Sequence, residues 1–524
     1  MPPFLERAVE RFAPPIGSGL RARLWRRVRR AWFPALLVGL YFLYRFVGKA
    51  GLDTWPVYGV YHDLQADGFL KGHLSLPIEP APELVHAKNP YDYSNVRYWW
   101  LDATYWKGKY YIYWGPVPAL FEAAAKWLLR IHQGIGDQYV AFFFHCLAAL
   151  CGAFIAERML RRLFRSESRL LLALGTLAFA CCNPTLHGVA TLSTYQTAII
   201  AGQAWLLAGV LVAFDAVWRA GTTEARAFRL PLAGVCFGLA LGSRLSVLPA
   251  IAALVVLVAL MEAWPSERRW RRFILNGLAV GLPVSAAGCG LLYFNKLRFG
   301  DFLQFGSNIQ LSAYPIAFAP RWLIGNVYSY LLRSPRLSCE FPYVNQVWNM
   351  GRAAFPKGFS LPPDYEIIEP TVGWLVTMPL TWLAPFAFVL APWRGALASR
   401  RGRTYLFCLF SFLTLASLTG VLTLFVYGTT MRYLTDVAFG LVLLGLLGAF
   451  SLRYHRWGSV APRTFTTVVA ALGAVTIVMG LLLGYQGYNL HFQRYNPELD
   501  KKIGEAMSLC GPRYRRGKVA AWGQ

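Results

Sequence analysis

The stretch "GKYYIYWGPVPAL", Gly108 to Leu120, begins like a membrane span, yet it carries Lys109 and is broken by Pro116 and Pro118. Whether it crosses a bilayer decides which side every later loop faces. The setting is a chain of 524 residues, 56% apolar and only 15% charged, with a mean hydropathy of +0.39. That balance excludes an ordinary soluble assembly and points to a polytopic membrane protein. Apolar runs of the roughly 20 residues needed to cross a bilayer recur along the chain, without the two-residue alternation of a membrane barrel. The expected fold class is therefore all-α, a polytopic membrane helical bundle.

Candidate spans fall at 31–48, 138–157, 169–186, 191–217, 230–243, 246–264, 273–294, 371–392, 404–427, 432–452 and 465–486, about eleven crossings. The links between them supply a test. With the N-terminus in the cytoplasm, the basic links 157–169 "ERMLRRLFRSESR", 218–229 "WRAGTTEARAFR", 262–273 "EAWPSERRWRRF", 392–403 "PWRGALASRRGR" and 453–463 "RYHRWGSVAPR" all fall inside. A further crossing over residues 110–129 would move all five outside. The opening stretch is thus expected not to cross, its tyrosines and Trp114 lying at the outer interface and Pro116 and Pro118 bending the chain into a short helix at that surface. The same test requires two crossings between Leu230 and Trp264, with the turn at Gly242, Ser243 and Arg244.

The net charge of +26 is accounted for by these links, so nucleic acid is not an expected partner. The basic segment 21–30 before the apolar run 31–47 has the charge order of a signal peptide without a small-residue cleavage site, and reads as an uncleaved first helix. The expected organisation is a transmembrane bundle over 1–488, with outer loops at 49–137 and 296–370 that pack together as a lid, and an outer tail at 489–524. The expected location is the inner or plasma membrane. Most of the nine cysteines lie in apolar runs. Cys339 and Cys510 fall outside, where two free thiols are the default reading and a disulfide between them the alternative. No histidine–cysteine–carboxylate spacing suggests a metal, and no glycine loop suggests a nucleotide. No cofactor is expected.

Carboxylates are scarce, and most lie in the two outer loops, Asp364 and Glu366 among them. Asp63 and Asp67 are four apart, on one face if their segment is helical, where mutual repulsion would raise the proton affinity of one. Asp53 follows the first span closely, and Asp102 lies among aromatic rings. Glu340 and Glu369 are second-loop candidates for contact with substrate. At the outer mouth of a late span, Arg432 and Tyr433 precede Asp436; the arginine either grips a phosphate in a bidentate bond or pairs locally with Asp436. Arg244 and Arg298 carry the same alternatives of phosphate binding or interfacial snorkelling. Tyr113 and Trp114, with Trp99, Trp100 and Trp106, either stack against sugar or anchor at the interface.

In order along the chain, "QADGFLKGHLSLP" (65–77), "DATYWKGKYYIYWGPVPAL" (102–120), "LALGSRLSVLPA" (239–250), "YFNKLRFGDFLQFG" (293–306) and "MRYLTD" (431–436) resemble the GT-C superfamily of integral membrane glycosyltransferases, the group containing protein O-mannosyltransferases and lipid A aminoarabinose transferases. The resemblance implies transfer of a sugar from a polyprenyl-phosphate donor to an extracytoplasmic acceptor, with inversion at the anomeric carbon and a first-loop aspartate as base. Those relatives keep an acidic residue, often a pair, just after the first span; here Asp53 stands alone, and Asp63 and Asp67 lead the candidates. Arg244, Arg298, Arg432 and Tyr433 would hold the donor phosphate. A polysaccharide polymerase or ligase shares the one-sided arrangement. A secondary transporter or lipid flippase is the reading from another class, and it calls for ionisable groups near the bilayer midplane.

Overall fold

The computed structural model describes residues 20–510 apart from 313–317, 347–354, 357, 359–360, 363–364, 366–368, 427, 456–461 and 489. Asp364, Glu366, residues 511–524 of the expected tail and part of the last basic link lie outside the described residues. The chain divides into two units, Met1–Arg45 and Phe46–Gln524. The first contains most of helix α1 (Leu20–Gly48), whose stretch Ala31–Gly48 is long and apolar enough to cross a bilayer.

The second unit is a helical bundle. Its elements are α2 (Tyr61–Leu70), strands β1 (Thr104–Trp106) and β2 (Lys109–Tyr111), α3 (Val117–Leu129), α4 (Gln138–Arg158), α5 (Arg169–Ala180), α6 (Asn183–Ala190), α7 (Thr194–Trp218), α8 (Leu230–Ser243), α9 (Leu248–Ala263) and α10 (Arg269–Phe299). Beyond these come β3 (Arg336–Leu337), β4 (Val344–Asn345), α11 (Pro379–Val389), α12 (Arg400–Ser417), α13 (Met431–Tyr454), α14 (Pro462–Gln486), α15 (His491–Tyr495) and α16 (Pro497–Met507). Among the described residues of the whole chain, eight helices are long and apolar enough to cross a membrane, or nine if α5 with α6, bent by 51°, is taken as one span. The bend has a cause: Pro184 has no N–H to continue α5 and suits the first turn of a new helix. Two apolar helices shorter than a full span, Ala227–Ser243 and Pro379–Val389, fall where the other two crossings were expected. The protein is a multi-pass membrane protein.

Side-chain neighbours fix the direction of each segment. α4 runs with α7, Phe144 meeting Trp205 and Arg158 meeting Asp215. α5 and α6 run against α4, with Phe179 on Gly152 and Gly188 near His145. α8 runs against α7 through Gly209 and Phe237, and with α10 through Gly234 and Val280; α9 runs against α10 through Ala259 and Gly277, and Val255 and Gly281. The chain therefore reverses at Arg244. α13 runs against α5, Phe179 stacking on Phe439 and Gly175 meeting Leu446. α12 runs against α13, with Tyr405 on Ser451 and Ala416 on Gly440; α11 runs with α13, Leu380 on Gly445 and Leu383 on Gly448. α14 runs with α5 and α6, Gly473 on Leu174 and Gly484 on Leu186. From α4 to α14 the direction alternates without a break.

The opening stretch bends at its prolines into the expected short helix, but its tyrosines belong to a hairpin that precedes it. Lys109–Tyr111 pairs with Thr104–Trp106 as an antiparallel hairpin. Lys107 and Gly108 both have positive φ, 46° and 73°, the backbone of a two-residue hairpin turn whose twist matches that of its strands. Tyr105, Tyr110, Ile112 and Trp114 are buried together with Leu76, Leu84 and Leu311, so these rings form a loop core and not an interfacial belt. The helix starts only at Val117 and spans 13 residues, too short to cross. Its end is amphipathic: Lys126 is buried, whereas Trp127 and Leu128 are 75% and 73% exposed.

The two outer-loop segments join, the Asp102 N–H donating to the Leu311 carbonyl and the Leu311 N–H to that of Ala103, both at 2.8 Å. Cys339 and Cys510 form a disulfide, which corrects the default reading of two free thiols. They meet because the segment after α14 folds back: the Leu509 N–H donates to the Cys339 carbonyl at 2.9 Å.

Candidate functional site

A cavity of about 350 Å³ opens where α6 ends and where α7 and α13 begin; its walls include Val57, Tyr58, His187, Tyr195, Glu369, Arg432, Arg494 and Tyr495. Five stretches distant in sequence supply these groups. Arg432 and Tyr195 are each the second residue of a helix, so the same end of the bundle presents both. The Arg432 guanidinium lies 4.2 Å from the centre of the Tyr195 ring and pairs with Glu369 at 3.0 Å. The Glu369 backbone is held in turn by the Thr429 carbonyl at 3.0 Å. Tyr58 donates to the Gly48 carbonyl at 2.7 Å, and burial pushes its phenol up. His187 is buried, with its Nδ1 2.9 Å from the Gln346 carboxamide nitrogen.

Asp102 stands behind this wall. Its carboxylate accepts from the Tyr195 hydroxyl, and at 3.2 Å from Gln310 Nε2. Its backbone is left-handed, φ 65°, a conformation costly for a residue with a Cβ and held by the Leu311 carbonyl. Burial lifts its carboxyl above the usual range, against the opposing pull of Ser312 and Arg432. Tyr113 belongs to the same neighbourhood: burial raises its phenol, with Tyr433, Arg432, Asp102 and Arg244 close by. Trp114 sits edge-on to Tyr195 at 5.1 Å, one layer back from the cavity.

The structure redistributes the other candidates. Asp63 and Asp67 do share a helix, α2, but Lys126 of α3 lies between them as an ion-pair partner of both. This corrects the expected mutual repulsion: an ammonium stands where two bare negative charges were envisaged. Asp63 also accepts from the Ile135 and Gly136 N–H groups at 2.8 Å each, and its own N–H donates to Asp137. Burial works against the Lys126 charge, but the hydrogen bonds of the two aspartates outweigh it and hold the amine above its ordinary value. Buried Glu122, beside them, is pushed up to about 10 by burial and then by Asp137 and Asp63. Asp53 is exposed and does not line the cavity, although Val57 and Tyr58, just beyond it, do.

Among the arginines, the local pair of Arg432 with Asp436 does not form. Asp436 binds Arg244 instead, at 2.6 Å, with Tyr433 beside that guanidinium at 5.9 Å. Arg298 is buried, donating to the Ile112 carbonyl at 2.6 Å and to Asn295 at 2.7 Å, between the rings of Phe294 and Phe299. It clamps the first loop to α10. Glu340 lies in the turn between β3 and β4, where its carbonyl accepts from Tyr343 and Ser338, outside the cavity lining. Tyr58, His187, Tyr195 and Arg494 were missed, because nothing in their local sequence marks them; only the convergence of five chain segments does.

No sequence family and no curated protein matches the chain. Solved structures do. The apo crystal structure of the oligosaccharyltransferase of Archaeoglobus fulgidus superposes with a TM-score of 0.51 at 12% identity, over 95% of this chain and 62% of that one. The chain has the GT-C fold. The archaeal oligosaccharyltransferase AglB from Archaeoglobus fulgidus, in complex with an inhibitory peptide and a dolichol-phosphate, aligns at 12% identity over the same shares, with a TM-score of 0.44. The chain thus spans about three fifths of the length of these GT-C neighbours. Within this GT-C fold, the groups described above gather at one end of the bundle, while Arg158, Arg162, Arg229 and Asp215 are knotted together at the other.

Proposed function

We propose that the chain is a membrane glycosyltransferase that moves a sugar from a polyprenyl-phosphate-linked donor to an extracytoplasmic acceptor, with inversion at the anomeric carbon. The observation that carries this reading is the cavity itself: one carboxylate, two guanidiniums and several tyrosines face one space at the bundle end that the charge pattern assigns to the outside. Phosphate recognition suits a guanidinium fork, and tyrosines bind sugars by stacking and through their hydroxyls. The fold is shared with an oligosaccharyltransferase.

Glu369 is the base in this reading. Arg432 holds it in the resting site. A donor phosphate arriving at Arg432 competes for that guanidinium and frees the carboxylate. The acceptor O–H then gives its proton to Glu369 as its oxygen bonds the anomeric carbon. The carbon–phosphate oxygen bond breaks, and its electron pair leaves with the polyprenyl phosphate, whose charge the arginine stabilises. Asp102 acts through Tyr195, fixing the ring against which Arg432 lies. Donor therefore binds before acceptor.

The test incubates purified full-length protein with labelled polyprenyl-phosphate sugars and a membrane extract, and follows transfer and product configuration. Transfer is expected to fall 100- to 10,000-fold in Glu369→Gln, as for loss of a general base. A loss confined to Asp53→Asn would move the base to that exposed carboxylate. No transfer from any lipid-phosphate donor would overturn the reading.

A further inference from the structure

The cavity holds two guanidiniums, and they are not equivalent. Arg432 is already compensated by Glu369 at 3.0 Å. Arg494 lines the same space, yet no carboxylate of the described residues lies within ion-pair distance of it; its guanidinium lies 5.5 Å from the centre of the Tyr495 ring. Among the described residues, Glu369 is the single carboxylate of the lining. The cavity thus keeps an uncancelled positive charge, and it is supplied by the segment after the last span.

That segment is firmly placed. The His491 ring donates to the Val47 carbonyl at 2.8 Å, and the Asn496 carboxamide to that of Ala50 at 3.0 Å. Phe492 stacks on Tyr485 with ring centres 4.2 Å apart, and the Arg494 N–H donates to the Leu490 carbonyl at 2.9 Å. Further on, the disulfide from Cys510 ties the segment to Cys339. Arg494 is exposed at the cavity wall on this pinned segment, and its guanidinium, without an acid partner among the described residues, can fork onto an anion that enters there.

We propose that Arg494 is the residue that first receives the donor phosphate, so that the C-terminal segment forms part of the donor site. The inference rests on the lipid-phosphate reading above and adds its order: phosphate meets the uncompensated Arg494 and then draws Arg432 away from Glu369. A glycosyl monophosphate diester carries one negative charge, which the single uncancelled guanidinium matches.

The experiment uses the full-length protein in detergent, with a short-chain polyprenyl phosphate lacking sugar as probe and the uncharged polyprenol as control. Wild-type protein should bind the phosphate at least 10-fold more tightly than the polyprenol. Arg494→Gln should lose 10-fold or more of that affinity, and Arg401→Gln, at the opposite end of the bundle, should lose none. Since Arg494→Gln can disturb packing, a second measurement needs no variant: phenylglyoxal labelling of wild-type protein, mapped by mass spectrometry, should find Arg494 shielded by polyprenyl phosphate and open with polyprenol. Equal affinity in Arg494→Gln, or Arg494 equally labelled with both lipids, would overturn the role of Arg494 and leave the transferase reading standing. Wild-type protein that fails to prefer the phosphate would overturn both.

Discussion

At the scale of single residues, scarcity made the carboxylates visible in the sequence, and bonding decided what each can do. Asp63 and Asp67 have the spacing of a catalytic pair, but a lysine 59 residues beyond Asp67 reaches between them. No local pattern announces such a partner. Glu369 and Arg432 were both named from sequence for different tasks; their pairing across the cavity depends on how α13 meets the second loop. Asp102 tests the positioning argument: Asp102→Asn and Tyr195→Phe should each slow transfer, and the double variant should be little worse than either single one, because both remove the same contact. Additive losses in a steady-state assay would separate the two residues. Glu122 offers a pH test. Its folded value of about 10 lies above the ordinary 4.5, so the folded protein keeps a proton that the unfolded chain releases. Its contribution is complete below about 4.5 and is lost as pH climbs toward 10. Glu122→Gln should therefore raise the melting temperature at pH 8 and leave it nearly unchanged at pH 4. A variant that melts lower at pH 8 would remove this account.

At the scale of elements, long apolar runs were legible because a helix in lipid must satisfy its backbone internally over a fixed length. Even the reversal at Arg244 could be placed, since charge at both ends of the run demanded it. The hairpin was not legible. Its tyrosines read as interfacial because amphipathic rings suit a membrane surface as well as a loop core, and only the Lys107–Gly108 turn distinguishes the two. Gly108→Val puts a β-branched residue where φ is 73°, at a cost of about 1–2 kcal/mol, and should lower the melting temperature without altering donor affinity. Lys126→Met would leave the buried Asp63 carboxylate without its cation. A loss of about 3–5 kcal/mol is expected, as when one partner of a buried pair is removed, and chemical denaturation would measure it.

At the scale of the whole molecule, alternation of direction from α4 to α14 brings Tyr195 and Arg432 to one end, and the basic links at the other end carry the expectation that the cavity faces outward. Cysteines introduced at two exposed positions test this: Lys109→Cys should react with an impermeant maleimide added outside cells, and Ala398→Cys should react only after permeabilisation. Labelling of Ala398→Cys in intact cells would invert the topology. The bonds from His491 to Val47 and from Asn496 to Ala50 join residues 444 and 446 positions apart. Their consequence is one of timing. A ribosome adding about 5–20 residues per second needs on the order of 20 to 90 seconds to make the strip of wall that Val47 and Ala50 await. Throughout that interval the growing chain sits in the bilayer with one side of its cavity still unmade. On the proposed transferase reading, a chain halted before Arg494 would lack one wall of the cavity and would transfer no sugar, even with its membrane bundle in place.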